Sequence, residues 1–150
     1  MRTRYSLPVS VSAIIYNEHR ELLLLSPNGE SRWQCVTGWL EQETIPQGTL
    51  REISEELGPL SVRLMDVVDA HTFRYRDSFD IVSIFSLVRY IDGEITPNDD
   101  VLGYSFRWCS ESELPTLDIE SPQQDELLQK ALFLIKEYEK HPDLPFLKHT

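Results

Sequence analysis

A chain of 150 residues, 41% hydrophobic and carrying three Trp, six Tyr and six Phe, can bury one sizeable core and is too apolar to be disordered. Its net charge of −11 excludes a nucleic-acid polymer or an anionic membrane as main partner, because either demands a basic footprint. Two cysteines, Cys35 and Cys109, form no disulfide framework, and His19, His71, His141 and His149 show no zinc spacing, so a reducing cytoplasm is the expected setting.

Along the chain, the alternation Leu7, Val9, Val11, Ala13 predicts a strand with one buried face, interrupted for any signal-sequence reading by Pro8, Ser10 and Ser12. Residues 17–20 turn the chain into a second strand at 21–25, and 26–30 form a loop. Short strands are expected at 33–36 and 39–41, on either side of Thr37-Gly38. A helix follows over 45–57. Thr44 supplies an N-cap hydroxyl, Pro46 is tolerated in the first turn, and Gln47 completes a capping box. Gly58 offers a left-handed C′ position, and Pro59 stops continuation. Segments 61–70 and 79–91 read as strands, 96–100 as a polar loop, and 104–109 as one more strand. Ser121, Pro122 and Gln124 open a second helix to about residue 140, whose apolar stripe is core or a subunit interface. No run approaches membrane-spanning length. The whole of 1–150 is expected to be one α/β or α+β domain, a mixed β-sheet sandwiched between helices.

The first helix carries an anomaly. Leu50, Ile53 and Leu57 form an apolar stripe, while Glu52, Glu55 and Glu56 converge on the opposite side. Like charges at i,i+4 cost roughly 0.2–0.5 kcal/mol per pair, and carboxylates in a last turn oppose the helix dipole by roughly 0.3–1 kcal/mol each. A solvated acidic face is the plain explanation. A divalent cation among these oxygens, inverting the sign of the interaction, is the sharper one.

The stretch GWLEQETIPQGTLREISEELG, residues 38–58, closely resembles the Nudix box of the Nudix hydrolase family. Glu43, seven intervening residues, Arg51-Glu52, Ile53, Glu55-Glu56 and Gly58 match in register, and the approach Trp33-Gln34-Cys35-Val36-Thr37-Gly38 sits where the family has it. Three positions depart from the pattern. Only residues 39–42 separate Gly38 from Glu43, one fewer than usual, Thr37 stands where a second glycine is common, and Pro59 replaces an apolar residue.

The resemblance implies Mg²⁺- or Mn²⁺-dependent hydrolysis of a nucleoside diphosphate linked to another group, with small-molecule substrates and a homodimer as one assembly option. It implies metal ligation by Glu52, Glu55 and Glu56 and by a backbone carbonyl at Thr37 or Gly38. It makes Glu52 the general base, with Glu56 second and Asp99 or Asp100 as a loop alternative, and it makes Glu43 and Arg51 a bracing ion pair. Substrate contacts are expected from Trp33, Trp39, Arg74, Tyr75 and Asp100, with Phe73, Phe79 and Arg76 as further candidates. Tyr75 resembles a tyrosine of dinucleoside polyphosphate hydrolases, whereas the Trp33–Gly38 approach is similar to members acting on deoxynucleoside or pterin triphosphates. The shortened loop keeps a different class open: a catalytically weak nucleotide-binding or regulatory module.

Overall fold

The structure is a computed structural model and describes residues 4–27, 31–98, 105–120 and 122–145, the side chains of 122–125 excepted. β1 (Val9–Tyr16) lies at the centre of a six-stranded mixed sheet. It runs parallel to β6 (Phe79–Asp92) on one side. On the other it pairs antiparallel with β4 (Val36–Trp39) along its first half and with β2 (Leu22–Ser26) at Tyr16. β5 (Ser61–Tyr75) and β7 (Ser105–Cys109) form the two ends of the order β5-β6-β1-β2-β7. A separate pair joins β3 (Arg32–Trp33) to β8 (Asp118–Ile119), after a 3₁₀ turn at Leu114–Thr116. Neither β8 nor that turn is predicted from the sequence, because both are too short to show periodicity.

The helices α1 (Ile45–Leu57) and α2 (Pro122–Lys140) cover opposite faces of the sheet. One core cluster sets Ile14, Leu22, Leu24 and Leu87 against Leu128, Ala131 and Ile135 of α2. The other sets Ala13, Ile15, Leu23 and Leu25 against Ile53 and Leu57 of α1. Burying each such Leu or Ile contributes roughly 1.5–3 kcal/mol. This arrangement corrects the expectation of a one-faced first strand: every residue of β1 after Val9 is buried. The reason is tertiary, since alternation marks one covered face only where the other meets water.

β5 and β6 pair as a long hairpin to Tyr75↔Phe79, extending the predicted strand beyond residue 70. At the tip, Arg76 and Asp77 have φ of 48° and 54°, and Ser78 N–H donates to Tyr75 O at 2.9 Å, the geometry of a twist-matched hairpin turn. Thr37 and Gly38 lie inside β4 and not between two strands, because the ladder with β1 runs through them. Among the described residues, no helix is long and apolar enough to cross a membrane.

Candidate active site

Local chemistry sets the start of α1. Thr44 Oγ1 accepts from Gln47 N–H at 3.2 Å, and Gln47 Oε1 accepts from Thr44 N–H at 3.0 Å. Its end is set differently from the expected left-handed cap. Gly58 has φ 86° but ψ −177°, a conformation open to glycine and not a left-handed turn. The last carbonyls are satisfied by a distant segment: Thr96 N–H donates to Leu57 O and Asn98 N–H to Glu56 O, both at 2.9 Å. These bonds bring the chain that enters the acidic stretch back against α1. Asp99 and Asp100 lie outside the described residues.

The glutamates are not opposite the core stripe, as the helical wheel implies. Thr49, Ile53 and Leu57 form one buried row, and Gly48, Glu52 and Glu56 form the next row beside it. Glu52 is 9% exposed, Glu56 is half-buried, and Glu55 is exposed. That second row abuts β4, and Gly38 makes the approach possible. A Cβ at Gly38 would lie 2.0 Å from Glu52 Cδ and 2.2 Å from each carboxylate oxygen. The glycine is a slot for a carboxylate.

The ladder also decides which backbone groups face the helix. Leu40 N–H donates to Val9 O at 2.9 Å, so by strand alternation Leu40 and Gly38 turn their polar groups toward β1, and Trp39 and Thr37 turn theirs away. Trp39 O accordingly accepts from Arg51 Nη2 at 2.9 Å. Of the two carbonyls expected near a metal, Thr37's is on the free edge and Gly38's is committed to the sheet.

Arg51 spends all its donors on the site. Nε and Nη2 bind Glu43, the closest contact being Nη2 to Oε1 at 2.7 Å, and Nη1 binds Glu52 Oε1 at 2.8 Å and Glu55 Oε2 at 3.1 Å. The guanidinium holds the Glu43 carboxyl below the usual carboxylate range. The short loop does not break this brace: Glu43 N–H donates to Glu41 O at 2.9 Å, a three-residue turn that takes up the missing length. Burial pushes the Glu52 carboxyl up, against the pull of Arg51. Glu56 is pushed further, to about 8, first by burial and then by the Glu52 and Glu55 charges.

Arg51 does not reach Glu56. Its Oε2 is buried with no hydrogen-bond partner among the described residues. A buried orphaned acceptor is costly, and this one belongs to a group that two neighbouring carboxylates repel. No three described His, Cys, Asp or Glu side chains stand ready as a closed cage, and Arg51 occupies Glu52 and Glu55. Hard oxygen donors, unbalanced negative charge and an orphaned oxygen nevertheless fit a divalent cation that keeps water and substrate oxygens among its ligands.

On the other face of β4 lies a cavity of about 570 Å³. It is lined by Thr37, Trp39 and Tyr75 among the rim residues, and by Ser10, Ser83 and His71 deeper in. The predicted Trp39 and Tyr75 meet edge to face at 5.2 Å, Phe79 joins them, and Arg76 stacks over Tyr75 at 5.1 Å. Phe73 lines the cavity as well. Trp33 does not: it packs on the α2-side core, with Arg107 over its ring at 5.6 Å. Arg74 is exposed and pairs with Asp80 at 3.5 Å, away from the cavity lining. The serines and His71 escape sequence reasoning, since isolated serines in a strand read as interruptions. A larger groove of about 1010 Å³ between α2 and β5, edged by the exposed Phe133, touches none of the α1 carboxylates.

The family profile described as NUDIX domain matches residues 6–131. The dihydroneopterin triphosphate diphosphatase of Escherichia coli strain K12 is 41% identical over 56 residues, which span 35% of this chain and 37% of that relative's length. Among solved structures, an ADP-ribose pyrophosphatase from Streptococcus suis superposes with a TM-score of 0.69 at 22% identity, covering 87% of this chain and 93% of its own. A C. elegans Ap4A hydrolase superposes with a TM-score of 0.72 at 14% identity, covering 87% and 99%. These structural likenesses establish a shared fold.

Proposed function

The chain belongs to the NUDIX domain family, and on that footing we propose that it is a metal-dependent pyrophosphohydrolase, cleaving the diphosphate linkage of a nucleoside diphosphate joined to another group. Nucleoside triphosphates, dinucleoside polyphosphates and similar small phosphorylated compounds are the substrate class. The observation that carries this reading is the buried Oε2 of Glu56, without a hydrogen-bond partner among the described residues, beside a Glu52 carboxylate seated in the Gly38 slot. A purely structural helix has no use for that pair.

Members of this family generally use divalent metal ions. Here Glu52, Glu55 and Glu56, with the Thr37 carbonyl, are the groups to hold Mg²⁺ or Mn²⁺. When bound, such an ion neutralises phosphate charge, polarises the phosphoryl group and makes water more acidic. Glu52 is positioned to take the proton of the attacking water. Its Oε1 is anchored by Arg51 and its Oε2 makes no described hydrogen bond, while burial raises its basicity. Glu56 is the second candidate, as its carboxyl holds a proton most strongly. Arg51 and Glu43 act as positioning residues that fix Glu52 and Glu55 to the Trp39 backbone. The cavity across β4 receives the organic end of the substrate, an assignment in keeping with the E. coli relative's action on a pterin triphosphate.

The test is release of phosphate or pyrophosphate from a panel of nucleoside triphosphates, sugar nucleotides, dinucleoside polyphosphates and pterin triphosphate, with Mg²⁺ and with Mn²⁺. At least one substrate is turned over with metal and none with a chelator. Turnover that persists undiminished in chelator, or an entire panel left intact, overturns the proposal.

A further inference from the structure

The floor of the cavity is more polar than diphosphate cleavage requires. Ser10 and Ser83, partners across the β1–β6 ladder, are 8% and 2% exposed, and Ser10 Oγ donates to Ser83 Oγ at 2.9 Å. Ser12, 4% exposed, repeats the device across the β1–β4 ladder, its Oγ donating to Thr37 Oγ1 at 2.9 Å. A hydroxyl brings one proton and two lone pairs, so each pair keeps one unspent proton and spare acceptor capacity after making its mutual bond. Further along the same face of β1, Ile14 and Tyr16 are core. The mutual bonds meet the cost of burying these hydroxyls, and the capacity left over is available to a ligand.

The walls fit a flat group. His71 lies beside Ser83 in the β5–β6 register and stacks on Phe85 at 5.5 Å and 18°, with Phe73 at 5.7 Å. Trp39 and Tyr75 close the mouth. Aromatic faces hold a ring by its plane, and hydroxyls read its edge.

We propose that Ser10, Ser12, Ser83 and Thr37, with His71, are the specificity determinants of this site. They select a flat nitrogen heterocycle that presents both acceptor and donor atoms along one edge, over a sugar or an alkyl group. The proposal rests on the pyrophosphohydrolase reading for the reaction, but its binding step stands apart from turnover.

The probes are adenosine, guanosine and cytidine 5′-monophosphates, with ribose 5-phosphate as the probe lacking a heterocycle, titrated calorimetrically into the full chain. The best nucleotide binds at least about tenfold tighter than ribose 5-phosphate, the least discrimination a shaped pocket makes against a ligand that lacks a group it holds. Ser83→Ala brings that preference to within about twofold, and Ser83→Cys, a weaker donor of similar size, falls between. Should Ser83→Ala fail to fold, Thr37→Val at the rim carries the same comparison. Equal affinity for all four probes, or a preference that survives in a folded Ser83→Ala or Thr37→Val protein, overturns the proposal. Selective binding lost in the variant with no hydrolysis of any nucleotide leaves the pocket standing and removes the reaction. Hydrolysis with an indifferent variant does the reverse.

Discussion

The two helices cover opposite faces of one sheet and do opposite work. α2 spends its inward face on apolar contact: Leu127, Leu128, Ala131, Leu132 and Ile135 are 3% exposed or less. α1 sets Gly48, Glu52 and the neighbouring Glu56 beside a narrow core row of Thr49, Ile53 and Leu57. The same sheet therefore carries one face held by packing and another where packing is traded for placed charge. Stability and chemistry are separable here by helix, and substitutions can show it.

The largest contrast lies in rate. Glu52→Gln or Glu56→Gln lowers metal-dependent phosphate release by about 10²–10⁴-fold, the contribution of a positioned proton acceptor or ligand, with the unfolding transition retained. Single-turnover assays alongside melting curves check this, and full activity in both variants removes the assigned roles. On the other helix, Leu128→Ala opens a cavity at a site 1% exposed and costs about 2–5 kcal/mol in urea unfolding. Turnover per folded molecule should be unaffected, and a loss of kcat matching the Glu variants would erase the distinction.

Gly38→Ala probes the contact between β4 and α1. An added methyl meets the Glu52 carboxylate at 2.0 Å, so the carboxylate is displaced and overpacking costs about 1–3 kcal/mol. The variant should lose turnover more than stability. An unchanged rate would show that Glu52 need not occupy that slot.

The smallest effect is a dependence on pH in metal-free protein. Glu56 keeps its proton in the folded state to about pH 8, whereas the unfolded chain releases it near the ordinary value of 4.5. The folded state thus binds the extra proton between those limits, and stability falls as pH rises through that window. Glu56→Gln removes the loss, so its melting temperature gains on the parent's from acid toward alkaline pH. A constant gap in chelator would mean that the carboxyl is not strained by its surroundings.

Much of α1 was legible from the chain itself. Thr44, Pro46 and Gln47 define its start, and the structure returns the expected span, Ile45–Leu57. The Glu43–Arg51 pair, implied by the family resemblance, is present at 2.7 Å. Those features depend on local backbone chemistry or on short-range register. The lateral position of Glu52 and Glu56 was not legible, because a helical wheel gives angles without saying which neighbour stands at each angle. Nor was the placement of Trp33 against the α2-side core, which aromatic composition alone cannot distinguish from that of Trp39.

By itself, then, the sequence determined the span of α1, the acidic residues it carries and the class of a mixed sheet packed between helices. Only the tertiary structure decided that Gly38 makes room for a carboxylate, that Thr37 and not Gly38 frees its carbonyl, and that Ser10 meets Ser83. Each of those facts is a pairing between distant strands or between strand and helix. Periodicity along one strand records which residues are covered, but not what covers them.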